Sequence, residues 1–285
     1  MKAPAVLQAL IEDAVIDRVV NQLQSGKEAE VYVVACGDEM RCAKVYKSSE
    51  HRSFKQVATY REGRRARGSR DRRASGKRTS HGVKVQESQW KTAEIEALYR
   101  LADAGVRVPR PYGIYDGVLL MELVQQDDGT PANRLNDIEM SAAQACEWHA
   151  LMIRQITLML CAGIIHGDLS EFNVLLGPDG PVIIDLPQAV DAAGNNNAFR
   201  MLERDVNNMR ATFARAAPEL AQTEFAKEIW DLYEAGDLQP DSVLSGQHRR
   251  IEQAADVDAV MEQIDEARYE AEARALGRED AASSE

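Results

Sequence analysis

Two short apolar runs constrain this chain most. Ile164-Ile165 leads through His166-Gly167 to Asp168 and then Asn173, and Val182-Ile183-Ile184 ends on Asp185. Runs of this length and β-branched content read as short buried strands rather than helices. A fold that buries both must present Asp168, Asn173 and Asp185 at neighbouring strand ends.

That order and spacing is what phosphoryl transfer needs. An acid orients or accepts the proton of the attacking group, and an amide five residues on reaches a metal. A carboxylate after the next strand holds the metal that bridges nucleotide phosphates. Oxygen donors of this kind suit Mg²⁺ or Mn²⁺, which keep water and share phosphate oxygens. His166 reads as a brace for the loop. Lys44, in Ala43-Lys44-Val45-Tyr46, sits on an expected strand and can reach the α- and β-phosphates as a point charge; Glu94 is the carboxylate expected to hold it. There is no G-x-G-x-x-G and no G-x-x-x-x-G-K-[ST]. Ser25-Gly26-Lys27-Glu28-Ala29 reads as a turn whose amides, Ser25 hydroxyl and Lys27 could cradle phosphate.

Length and composition set the frame. The 285 residues allow two lobes, and 45% hydrophobic content allows a sizeable core. No apolar run approaches the roughly 20 residues of a membrane span. Glu12, Asp13, Asp17 and Arg18 interrupt the N-terminus too often for a signal peptide. Cys36, Cys42, Cys146 and Cys161 show no C-x-x-C pairing and read as reduced thiols of a cytoplasmic protein. The net charge of −12 argues against whole-surface nucleic-acid binding. Residues 51–84 depart from it, with twelve lysines and arginines opposed only by Glu62 and Asp71, and with Gly63, Gly68, Gly76 and Gly82 expected to break any helix. This basic loop reads either as a solvated insertion or as a contact for RNA or an acidic partner. Ser75, with Thr79 and Ser80 nearby, is its candidate autophosphorylation site.

Periodicity orders the rest. The apolar spacing of Val6, Leu10, Val15, Val19 and Leu23 predicts helix over residues 4–24. Strands are expected at 30–34 and 41–46 around a Gly37-Asp38 turn, and at 118–124. Helices are expected at 90–104, 140–161, 199–216 and 225–233. The charged stretch 248–277 is expected to be a helical tail.

At this level of detail the chain resembles the RIO kinases, atypical serine/threonine protein kinases. The resemblance rests on the Ser25–Ala29 loop, on His166-Gly167-Asp168-Leu169-Ser170-Glu171-Phe172-Asn173, and on Ile184-Asp185-Leu186-Pro187-Gln188 in place of D-F-G. It rests also on Leu202-Glu203-Arg204-Asp205-Val206, on Val108 to Tyr112, and on the Leu119-Leu120-Met121-Glu122 strand. It covers residues 24–233. It implies an α+β, two-lobed protein-kinase-like fold: a small N-lobe of antiparallel sheet plus helix, and a mainly helical C-lobe lacking the usual activation segment and substrate-binding helices. The implied organisation is an N-terminal helical extension (1–24), an N-lobe (25–124, with the basic loop about 48–86), a C-lobe (125–240) and a charged tail (241–285).

The resemblance also implies roles. ATP and Mg²⁺ or Mn²⁺ would be the cofactors. Ser25, Gly26, Lys27, Glu28, Ala29 and Val31 would cover the nucleotide, and Lys44 would contact phosphate with Glu94 as its partner. Met121 would back the adenine pocket, and the Glu122 and Val124 backbone would bind adenine. Asp168 would be the catalytic aspartate, with Asn173 and Asp185 on the metal. Asp185 has a second implied role, as acceptor of an aspartyl phosphate. A protein substrate is implied, as is the small ribosomal subunit as a partner, reached through the basic loop; no membrane is implied. Gly167 is shared with aminoglycoside and choline kinases, which keeps a small-molecule kinase as one alternative, beside a ribosome-associated assembly ATPase, although Leu186 stands where small-molecule kinases carry an aromatic residue.

Overall fold

Strand alternation decides which residues face the cleft. In the computed structural model, which describes residues 4–26, 29–47 and 80–247, five strands form one antiparallel sheet. They are β1 (Arg18–Ser25), β2 (Ala29–Cys36), β3 (Glu39–Tyr46), β4 (Pro111–Tyr115) and β5 (Val118–Glu122), in the order β1-β2-β3-β5-β4. Lys44 pairs with Val31 on one side and Leu119 on the other, and Cys42 pairs with Val33 and Met121. Side chains alternate along a strand, so Val31, Val33, Cys42, Lys44, Leu119 and Met121 share one face. Tyr32, Val34, Ala43, Val118 and Leu120 share the other. Gly117, with Asp116 before it, takes the positive φ that the tight β4–β5 hairpin requires.

The second face is covered by α1 (Ala5–Glu12). Leu7 and Leu10 are buried there against Tyr32, Val34, Ala43, Val118 and Leu120. Helix is thus present at the N-terminus, but the expected helix over 4–24 is corrected: Arg18–Ser25 is a strand paired with β2. Two register shifts, at Val19/Asn21 and Gln22/Gln24, break its alternation and leave it mostly exposed.

The first face is backed by α2 (Ser80–Asp103), whose Ile95, Leu98 and Leu101 join the main core. This helix starts ten residues before the expected position, so the end of the expected loop, residues 80–86, is helical, Gly82 included. The remainder of that loop with Ser75 and Thr79, Lys27 and Glu28 of the turn, and the tail from residue 248 lie outside the described residues.

The C-lobe is built on α3 (Ala142–Cys161), α4 (Ala198–Phe213) and α5 (Phe225–Ala235). Ser141 opens α3 with a capping box, accepting from the Gln144 amide while the Gln144 side chain accepts from Ser141. Two small antiparallel pairs lie on these helices: β6 (Ile164–Ile165) with β9 (Val190–Asp191), and the hairpin of β7 (Val174–Gly177) with β8 (Gly180–Ile183). Only residues 192–197 separate β9 from α4, which is the short passage expected where an activation segment would otherwise stand. Among the described residues no helix is long and apolar enough to cross a membrane.

Candidate active site

Asp168 lies in the loop between β6 and β7, Asn173 at the loop's end, and Asp185 just after β8. The loop is tied down at four points. Its His166 Nε2 lies 3.1 Å from the Ile184 carbonyl, and His166 Nδ1 accepts from the Asp168 amide at 3.3 Å. That pattern assigns the proton to Nε2 and makes this buried imidazole a clamp between the two acidic loops. Below the loop, the Asp205 carboxylate on α4 accepts the amides of Gly167 at 2.7 Å and Leu169 at 3.0 Å. Burial pushes Asp205 up to about 6, against the opposing pull of His166 and the two amides.

The Asn173 side-chain NH₂ donates to the Asp168 carbonyl at 2.8 Å, which turns its Oδ1 outward. Gln188 donates to Asp168 Oδ2 at 3.1 Å. Burial raises the Asp168 pKa, and the Asp185 charge adds to it, while Arg204 and His166 oppose. Asp185 has φ of 68°, a left-handed conformation that costs a non-glycine residue energy and marks functional positions. Although desolvation raises its pKa, Lys44 more than offsets this and holds the carboxyl below the usual range.

Lys44 closes the constellation. Its Nζ lies 2.5 Å from Glu94 Oε1 on α2 and 3.1 Å from Asp185 Oδ1 on the other lobe. Burial alone would lower its pKa, but Glu94 and then Asp185 outweigh it and keep the ammonium charged. The expected Lys44–Glu94 pair is therefore formed, and it is joined to Asp185.

The turn before β2 is only partly available to a ligand. Gly26 donates its amide to the Ala29 carbonyl, and the Ser25 hydroxyl donates to Glu30 while accepting from Lys47. Met121 and Val31 lie on the cleft face. The Glu122 carboxylate is wholly engaged, by both ends of the Arg107 guanidinium at 2.9 and 3.0 Å and by the Arg110 amide at 3.0 Å. Its own amide donates to Arg110, and the Val124 carbonyl accepts from Ala132.

Four residues of this site were not assigned a role from the sequence: Cys42, Gln188, Asp205 and Arg134. Cys42 was findable, since strand period places it on the face of Lys44 two residues away. The others make their contacts 20 to 110 residues away in the chain.

As for a metal, the outward Asn173 Oδ1 and the Asp185 carboxylate are hard oxygen donors of the type Mg²⁺ takes. Among the described residues no cluster of three or more His, Cys, Asp or Glu side chains surrounds a metal position. That fits an ion completed by water and phosphate rather than caged by protein.

Comparison with known proteins agrees with this geometry. The RIO domain profile matches residues 30–226. A RIO-type serine/threonine-protein kinase Rio1 of Haloferax volcanii is 32% identical over 212 residues, 74% of this chain and 68% of that protein. The serine/threonine-protein kinases RIO1 of Homo sapiens and rio1 of Schizosaccharomyces pombe are 29% and 28% identical over 74% of this chain. The chain spans only 36% and 41% of those two longer relatives.

Proposed function

The chain belongs to the RIO family of serine/threonine-protein kinases, and we propose that its cleft transfers the γ-phosphoryl group of ATP to a protein hydroxyl, its own included. The observation that carries this reading is the Glu94–Lys44–Asp185 chain of charges. It sets one cation beside the carboxylate that would face the nucleotide phosphates.

Asp168, open to the cleft, orients the serine or threonine hydroxyl and accepts its proton. The hydroxyl oxygen bonds to the γ-phosphorus as the bridging bond to ADP breaks. Lys44 holds the α- and β-phosphates. Asn173 and Asp185 would hold Mg²⁺ or Mn²⁺, which when bound neutralises phosphate charge. Val31 and Cys42 roof the adenine and Met121 backs it. The Glu122 carbonyl and Val124 amide supply the acceptor and donor that adenine needs. Water in place of the hydroxyl gives ATP hydrolysis by the same site. The basic segment 51–84 is assigned to the small ribosomal subunit or its RNA, by charge and family resemblance.

The test uses the full chain, Mg²⁺ and γ-labelled ATP. Autophosphorylation or phosphate release is expected, and Asp168→Ala and Lys44→Ala should each reduce it by at least about 100-fold. Activity that survives both changes would overturn the assignment.

A further inference from the structure

Arg134 stands at the cleft with a charge that neither the motifs nor the hinge accounts for. Its backbone bridges to Leu175, two residues beyond Asn173, so it belongs to the C-lobe floor. Its guanidinium crosses to the other lobe and donates to Gln24 Oε1 at 2.5 Å. Gln24 is the penultimate residue of β1, directly before the Ser25-Gly26 turn. The partner is a neutral amide, so the positive charge is not neutralised by it.

We infer that Arg134 is a second phosphate ligand of the nucleotide, its guanidinium leaving Gln24 Oε1 for a phosphate oxygen when nucleotide binds. The inference rests on the ATP-dependent reading above and names a further binding residue for it. The charge balance of the cleft supports it. Lys44 is already held between two carboxylates, Glu94 and Asp185, so its charge is shared before any phosphate arrives. A polyphosphate entering that field needs the second cation. Guanidinium also matches phosphate geometry with two parallel donors, which a single contact to an amide leaves largely unused. The contact to Gln24 lies at an exposed position and pairs the cation with no opposite charge, so a phosphate oxygen is the stronger partner for it.

The experiment is calorimetric titration of the full chain with ATP, ADP and adenosine in Mg²⁺ buffer. It compares the unmodified chain with Arg134→Ala, Arg134→Lys and Gln24→Ala. Arg134→Ala is expected to weaken ATP and ADP at least tenfold and to leave adenosine within twofold. Arg134→Lys should recover part of the loss, and Gln24→Ala should bind ATP as well or better. Equal losses for ATP and adenosine, or the same loss in Gln24→Ala as in Arg134→Ala, would reassign Arg134 to holding the lobes together and overturn the proposal. Unaltered ATP affinity in Arg134→Ala would overturn it while leaving the kinase reading intact. An unmodified chain, folded but binding neither ATP nor ADP, would overturn both.

Discussion

The Gln188 side-chain amide donates to Asp168 Oδ2 at 3.1 Å, from the far side of the Asp185 turn. One carboxylate oxygen of Asp168 is thereby fixed, and the other is left to meet the attacking hydroxyl. A hydrogen bond to a charged group is worth about 1.5–3 kcal/mol, so Gln188→Ala should lower kcat by roughly 10- to 100-fold. Gln188 touches no nucleotide-binding group identified above, so KM for ATP should stay within about twofold. Steady-state ADP release measures both. An unchanged kcat would remove Gln188 from the machinery.

Asp205 positions the same loop from beneath. Replacing it with alanine leaves the Gly167 and Leu169 amides buried without their acceptor, which costs about 1–3 kcal/mol for each group. Asp205→Ala should therefore lose stability in urea titration and lose kcat as the Asp168 backbone relaxes. Asp205→Asn is the sharper probe. Its amide can accept from one N–H but turns a donor toward the other, so kcat should fall further than stability does. Equal kcat in Asp205→Asn and the unmodified chain would assign Asp205 to packing alone.

His149 offers a pH-dependent test of the C-lobe core. Its ring packs against Phe213 and Phe225, with centroids 5.8 and 5.7 Å away, and its Nε2 has no hydrogen-bond partner among the described residues. Burial pushes its pKa down to about 4, with Arg210 adding to the shift, from an ordinary 6.5. The unfolded chain therefore takes up this proton first. The His149 contribution is fully present above pH 6.5 and is lost as pH falls toward 4. Asp205 runs the other way. Its raised pKa of about 6, against 3.8, means the folded chain takes its proton first and gains stability as pH falls from 6 toward 3.8. The two nearly cancel in the unmodified chain. His149→Leu should unmask the difference, gaining about 2 kcal/mol relative to the unmodified chain between pH 7 and pH 5 by linkage. Any cavity or clash from the substitution is independent of pH and drops out. Urea titrations at both pH values measure it, and parallel curves would refute a buried neutral His149.

Much of the site was legible because its spacing is local. Asp168 and Asn173 share one loop, Asp185 follows one hairpin later, and Lys44 sits on a strand its own run predicts; Met121 enters only through the family resemblance. The failures have physical causes. Val15, Val19 and Leu23 fall at helical spacing, and the two bulges of β1 erase the period-two signal that would have contradicted it. Gly82 costs a helix only about 1 kcal/mol against alanine, which the rest of a 24-residue helix can carry. Asp205 was visible as part of a motif, but its task depends on α4 folding back under the loop. Arg134 and Gln24 are separated by 110 residues, and no local pattern joins them.

The N-terminal helix, expected as an extension beyond the fold, is part of the sheet's packing. Leu7 and Leu10 are fully buried on the face that carries Tyr32, Val34 and Leu120, opposite the face of Lys44 and Met121. Truncating a buried leucine to alanine costs about 2–5 kcal/mol, so Leu7→Ala and Leu10→Ala should each lower the unfolding free energy by that amount. Because the sheet separates them from the cleft, KM for ATP measured well below the melting transition should not move by more than about twofold. Denaturant titration paired with kinetics tests both halves. Undiminished stability would mean that α1 does not seal the sheet. A raised KM in an otherwise folded variant would mean that the helix shapes the nucleotide face through β2 and β3.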